Sequence, residues 1–377
     1  MAKIGIDIRA IGKNRTGDEV YFFNLVKNLA KIDKGSEYSL YTDRDPKKDS
    51  ALAKEIKKLN LGQNFKVIFI KKINRFCWNF WYLPMCLRKN QINIYHTQYI
   101  APFWLPKKIK LVLTIHDISF NFFPEYIKKT DLFFLKALLP RSIRQADKII
   151  TVSASEQKQI IDFYKISPEK VDFTHNGVDF EGFGRNFSDE QKNAVKAKYK
   201  LPEKFLLYIG TLQPRKNIPV IIEAMKSLDT NLVLAGNREA RNFDKKIDNA
   251  IEKNNLGNKV IFPGWIDEED KPVLLQLADC FVFPSLYEGF GIPIIEAMAA
   301  GTPIVCSDIP VFREIAESSA LFCDPKNSRQ FAENILKILN DQPLKEKLVQ
   351  SGIETAKKFA WQKTAEKTLG IYRQTVK

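Results

Sequence analysis

The sequence predicts an α/β protein built as two Rossmann-like domains facing each other across a cleft. Short runs of β-branched and other apolar residues alternate with helical patterns along the whole chain, the signature of parallel sheets covered on both faces. The alternation restarts after the Gly-, Asn- and Asp-rich stretch HNGVDFEGFGRNFSD (175–189). A chain of 377 residues also exceeds what a single compact core organises well.

The first series opens with KIGIDI (3–8), a continuous apolar run, followed by a loop carrying Gly12 and Gly17 and a helical pattern from Glu19 to Ala30. Strands are expected at YSLYT (38–42), FKVIFI (65–70), INIYH (92–96), KLVLTI (110–115), KIITV (148–152) and KVDFT (170–174), with the clearest helix over 132–146. The second series runs through FLLYIG (205–210), NLVLAG (231–236), NKVIFPG (258–264), CFVFPS (280–285), TPIVCS (302–307) and ALFCD (320–324). An N-terminal domain is therefore expected over 1–185 and a C-terminal one over 186–356, with a last helix (357–377) packing back on the first. Open α/β sheets bind ligands beyond the carboxyl ends of their strands, so the loops after these strands should line the cleft.

Composition narrows the class. With 45% hydrophobic and 27% charged residues, the chain is globular rather than disordered. No apolar run approaches the roughly 18 residues needed to span a bilayer. The opening MAKIGIDIRA reads as a buried strand, not a secretory leader, so a cytoplasmic location is expected. Cys77, Cys86, Cys280, Cys306 and Cys323 contain no C-x-x-C pair and read as small buried residues. His96, His116 and His175 are the only histidines, and no structural zinc site is expected.

The net charge of +15 is uneven, because residues 61–150 hold fifteen Lys and Arg against four Asp and Glu. Such a stretch attracts nucleic acid, anionic lipid or a polyanionic substrate, or is simply a solvated lysine-rich surface. The signatures of known RNA modules are missing, so no nucleic-acid partner is expected. Segments 71–90, 103–110 and 120–129 mix aromatics with Lys and Arg, which suits docking on an anionic membrane surface. The competing reading makes Trp78, Phe80 and Trp81 core residues of an ordinary helix.

Two loops carry the candidate chemistry. SLYEGFGIPIIE (285–296) follows a strand and places Glu288 beside Gly289 and Gly291, with Glu296 inside the next helix and Pro293 in its first turn. Glycines let backbone approach a ligand, a helix N-terminus favours an anion, and carboxylates grip hydroxyls. Taken alone, EGFG reads rather as a tight turn with a capping glutamate. FLLYIGTLQPRKN (205–217) ends the first strand of the same series, with Asn217 as a plausible N-cap. Adjacent Arg215 and Lys216 there suit a diphosphate.

GTLQPRKN, LVLAG, IFPGWID, ADCFVFPSLYEGFGIPIIEAMAAGTPIVCSD and FAWQKTAEKTLGIYR together resemble family 4 glycosyltransferases, retaining enzymes of the GT-B fold. The likeness spans nearly the whole chain, including His116-Asp117 and HNGVD (175–179), and the GTLQPRKN and SLYEGFG forms resemble bacterial mannosyltransferases of polysaccharide and lipopolysaccharide assembly. It implies a nucleotide-sugar donor, GDP-mannose above others, and a glycan or lipid-linked acceptor. Arg215 and Lys216 would neutralise the leaving diphosphate, Glu288 would contact the transferred sugar, and Glu296 would hold the donor ribose. The amides of Gly289, Phe290 and Gly291 would sit against sugar and phosphate. His116 would lie across the cleft near the sugar, and the loop containing Gly17 would border acceptor and phosphate.

Two positions depart from the family pattern. Gly17 is followed by Asp18 and Glu19 where relatives often carry Gly-Gly-x-x-x-Tyr, and Thr211 stands where many have Arg. The two acids would repel a diphosphate, so they meet the acceptor or point away. No cofactor or metal is expected, since Asp43-Arg-Asp45 lies in a peripheral loop and Arg, Lys and a helix N-terminus can stabilise the leaving group. Two rival classes remain: a nucleotide-sugar epimerase-like enzyme on the same plan, which would turn over donor without acceptor, and a basic nucleic-acid-binding protein, which would give a salt-sensitive gel shift.

Overall fold

A computed structural model describes residues 2–13, 17–71, 74, 77–240 and 242–376. Two compact units divide the chain, the first comprising Met1–Phe122, Ile127–Gly177 and Trp361–Lys377, the second Phe123–Tyr126 and Val178–Ala360.

The first unit is built on seven strands: β1 (Lys3–Asp7), β2 (Glu37–Thr42), β3 (Phe65–Phe69), β4 (Ile94–Gln98), β5 (Lys110–Ile115), β6 (Lys148–Thr151) and β7 (Val171–Phe173). They pair in parallel in the order β3-β2-β1-β4-β5-β6-β7. Ile4, Ile6, Ile94, Leu111 and Leu113 are buried, as continuous apolar strands covered on both faces must be. The first helix, Gly17–Ile32, and the last, Trp361–Val376, both belong to this unit. They meet through Tyr21 and Trp361, whose rings lie edge-on at 6.5 Å. Thr364 also donates its hydroxyl to the His175 carbonyl at 2.6 Å.

The second unit holds β8 (Phe205–Ile209), β9 (Asn231–Ala235), β10 (Val260–Ile261), β11 (Cys280–Phe283), β12 (Ile304–Ser307) and β13 (Leu321–Cys323). Their parallel order is β10-β9-β8-β11-β12-β13. Where the chain enters and leaves this unit, Val178 and Ala360 form a parallel bridge.

In both sheets the first strand of the series lies beside the fourth, β1 against β4 and β8 against β11. Connections leave in opposite directions from that line and open a crevice at the strands' carboxyl ends, where α/β sheets bind ligands.

Most strand boundaries shift by a residue or two from expectation, and three of the shifts have a local cause. β4 begins at Ile94 rather than Ile92, because the Asn93 side chain instead accepts the Lys3 amide at 2.8 Å at the sheet's entry. β10 shrinks to two residues, since Pro263 lacks an N–H and Gly264 turns the chain with φ +82°. β12 starts at Ile304, after Thr302 has given its hydroxyl to the Leu275 carbonyl at 2.8 Å.

The basic aromatic segment divides between both readings. Trp78 is core: fully buried, with its indole N–H on the Ile70 carbonyl at 3.2 Å and Arg9 over its ring at 4.0 Å. Phe80 is half-buried and stacked on Phe103, whereas Trp81 is 65% exposed. Lys72 and Arg75 lie outside the described residues. Among the described residues, no helix is long and apolar enough to cross a membrane.

Candidate active site

The β8 and β11 loops meet because their strands are neighbours. After β8 the chain makes a single 3₁₀ turn, Pro214–Lys216, before the helix Ile218–Ala224. Asn217 joins them in the left-handed region (φ 56°) and does not cap the helix through its side chain, contrary to expectation. Its amide donates instead to the carbonyls of Pro284 (3.2 Å) and Pro325 (2.7 Å), tying the turn to the loops after β11 and β13. Leu286 N–H donates to the Arg215 carbonyl at 3.0 Å. Gly236, after β9, is glycine for close approach, since a Cβ there would sit 2.2 Å from the Gly210 carbonyl oxygen.

These contacts bring Arg215, Lys216 and Glu288 into one partly buried cluster. Arg215 Nη1 lies 3.1 Å from Glu288 Oε2, Lys216 Nζ contacts Oε1, and Ser285 donates its hydroxyl to Oε1 at 2.7 Å. Arg215 also donates to the Tyr287 carbonyl. Burial alone would raise the Glu288 carboxyl, but Lys216 and Arg215 overcome it and bring it down to about 2 from an ordinary 4.5. Glu288 is therefore a fixed anion.

Glu296 meets a different environment. It sits in the helix Ile292–Ala299, which starts at Gly291 with Pro293 in its first turn. Lys271 Nζ lies 3.2 Å from Glu296 and 3.0 Å from Glu268, one cation between two acids. Burial raises the Glu296 carboxyl, Lys271 opposing it, while the two carboxylates outweigh burial and raise Lys271. Gly291 is required by its φ of +111° and by Phe312, which a Cβ would approach to 3.0 Å. Phe290 is buried with its ring edge-on to Phe359 at 5.8 Å, so this residue faces the core and offers a ligand only backbone.

In the first unit, His116 follows β5 and its Nε2 lies 3.0 Å from Gln98 Oε1, at the end of β4. Asp18 Oδ1 is 3.8 Å from the same nitrogen, and Tyr21 stands edge-on to the imidazole at 5.0 Å. Burial raises the Asp18 carboxyl against the pull of His116, with Asp117 adding to the rise. Glu19 turns the other way, accepting the Gly12 amide at 2.6 Å. The two acids that depart from the family pattern thus divide, one facing His116 and one bracing its own loop. Gly17 is exposed, and a Cβ there would meet nothing within 4 Å among the described residues. The internally demanded glycine is Gly12, with φ +75° and a Cβ position 2.9 Å from Leu52 Cα.

Residues 15–181 match the family description Glycosyltransferase Family 4, and residues 189–355 match Glycosyl transferases group 1. O-antigen chain mannosyltransferase B of Escherichia coli is 32% identical over 295 residues, covering 76% of each chain. The chain belongs to the family 4 glycosyltransferases. This glycosyltransferase shares its fold with sucrose-phosphate synthase from Thermosynechococcus elongatus at TM-score 0.79, with 21% identity over 99% of each chain. It also superposes on Anabaena HepE, solved with UDP-glucose, at TM-score 0.77 and 18% identity over 99% of this chain and 100% of that one. The fold is GT-B, and the activity is glycosyl transfer.

For such a glycosyltransferase the β8–β11 cluster has the right chemistry. Two partly buried cations beside a loop of backbone amides can stabilise charge developing on a leaving group. Sequence reasoning missed Lys271, Glu268, Ser285 and Gln98. Only the Lys271-Pro272 step after four consecutive acids, Asp267 to Asp270, carried a signal.

Proposed function

We propose that this glycosyltransferase moves mannose from GDP-mannose, with retention of anomeric configuration and without a metal ion, to a glycan or lipid-linked acceptor of cell-surface polysaccharide. The observation that carries the donor site is the Arg215–Lys216–Glu288 cluster at the β8–β11 crossing. In this reading Arg215 and Lys216 hold the diphosphate, and the amides of Gly289 to Gly291 lie against sugar and phosphate. Glu288 binds sugar hydroxyls and Glu296 the ribose. The sugar's C1–O bond to the diphosphate breaks as the acceptor oxygen bonds C1, and the acceptor proton leaves with the diphosphate. His116, with Asp18 and Gln98 beside it, serves the sugar and acceptor side. The E. coli mannosyltransferase supports mannose as the sugar.

The test incubates purified enzyme with GDP-mannose or UDP-glucose and a lipid-linked glycan, with and without EDTA, and reads the new linkage by NMR. Mannose transferred in α-configuration, undiminished by EDTA, is the expected result. Transfer from UDP-glucose alone, an inverted product or loss with EDTA overturns the corresponding part. Glu288→Gln should abolish transfer.

Exposed Trp81, Met85 and Phe133 (65%, 55% and 68%), with exposed Lys71, Lys107 and Lys108 in the same unit, support docking on an anionic membrane. Each cation near such a surface adds about 1 kcal/mol. Co-sedimentation with phosphatidylglycerol-containing vesicles should rise with anionic lipid, fall with salt, and drop when these three lysines become Glu. Equal binding to neutral vesicles, or none to either, overturns docking.

A further inference from the structure

The two cations assigned to the diphosphate already hold an anion of the protein's own. Glu288 takes Arg215 Nη1 at 3.1 Å and Lys216 Nζ, with Ser285 Oγ at 2.7 Å as a third donor. All three ionic side chains are largely buried, with 10–17% of their surface exposed. Resting on the reading of Arg215 and Lys216 as the diphosphate subsite, we propose that Glu288 is a resident anion which the donor's diphosphate displaces. Its displacement is what frees this carboxylate to take the sugar.

The argument is one of charge conservation in a buried place. Two cations without a counter-anion are costly away from water, and breaking a buried pair from one side leaves an uncompensated charge. In the donor-free enzyme Glu288 supplies that anion and keeps both side chains aligned. A diphosphate brings its own negative oxygens, so Arg215 and Lys216 stay compensated while the Glu288 carboxylate loses two charge-assisted contacts. The Ser285 hydroxyl, on the same oxygen as Lys216, helps hold the carboxylate in this resident position and is given up with it. The carboxylate then needs new hydrogen-bond donors, and the hydroxyls of the attached sugar are such donors. Sugar recognition becomes conditional on phosphate recognition. A free sugar finds Glu288 engaged, and a nucleoside diphosphate binds with an affinity reduced by the work of ejecting it.

The sign of one measurement separates this from a passive sugar contact. Calorimetric titration with GDP and UDP should give binding to Glu288→Gln about tenfold tighter than to wild type, equivalent to about 1.4 kcal/mol. Ser285→Ala, which loosens the hold without removing charge, should shift binding the same way by less. For Glu288→Gln, the nucleotide sugar should bind no better than the nucleoside diphosphate. Arg215→Ala with Lys216→Ala should lose most binding. If the double variant binds like wild type, the diphosphate subsite itself is wrong. If it loses binding while Glu288→Gln is unchanged or weaker, the displacement is overturned and the subsite stands. Should Glu288→Gln fail to fold, Ser285→Ala decides, and an unchanged affinity there refutes the proposal.

Discussion

Mild acid should loosen the first unit through a single buried imidazole. His96, on β4, is fully buried, with its ring nitrogens 2.6 Å from the Tyr372 hydroxyl of the last helix and 2.6 Å from Thr114 Oγ1 of β5. Burial, reinforced by His116 and opposed by Asp7, pushes its pKa from 6.5 down to about 3. Between those values the unfolded chain binds a proton that the folded chain refuses, so stability falls as pH falls from 6.5 toward 3. One such proton costs about 1.4 kcal/mol per pH unit, hence about 2 kcal/mol between roughly pH 6.5 and 4.5. The Glu288 contribution is untouched in that window because it is lost only below 4.5. His96→Gln keeps hydrogen-bonding capacity toward both neighbours and cannot titrate. Urea unfolding can be followed by tryptophan fluorescence, which reports mainly this unit because Trp78, Trp81, Trp104 and Trp361 all belong to it. Wild type should show the acid slope and His96→Gln should lose about one proton's worth of it. Equal slopes would refute the assignment of a neutral, buried His96.

The remaining predictions concern the second unit and its loops. Without ligand, Glu288→Gln should destabilise by about 3–5 kcal/mol at neutral pH, because Arg215 and Lys216 lose their buried counter-anion; scanning calorimetry checks it. Wild type should lose the same stabilisation as pH falls from 4.5 toward about 2, since the depressed carboxyl must be protonated to release it. Gly291→Ala should cost about 1–3 kcal/mol for its backbone conformation alone, whereas Gly17→Ala should stay within about 0.5 kcal/mol. Similar melting temperatures for those two variants would contradict the geometry. Glu296→Ala should weaken nucleoside diphosphate binding and leave the Glu288 site intact, and the reverse pattern in titrations would mean the donor runs the other way through the site.

The local sequence was enough to determine the strand series and its restart, because continuous β-branched runs such as KLVLTI and helix starts such as Gly291-Ile-Pro293 are set by neighbouring residues. The pairing of Glu288 with Glu296 in one loop and helix was legible for the same reason. What the chain does with those residues depended on strand order. Only the placement of β8 beside β11 lets Lys216 reach Glu288, 72 residues away in sequence, and makes the carboxylate an ion-pair partner rather than an open sugar contact. Burial decided the rest. Trp78 and Trp81 sit three residues apart with the same side chain, yet one fills the core and the other faces out. Asp18 and Glu19 are adjacent acids, yet one faces His116 and the other braces Gly12. Periodicity reports which face of an element is apolar, but which charge is stripped of water, and which cation then answers it, is settled only when distant strands are packed side by side.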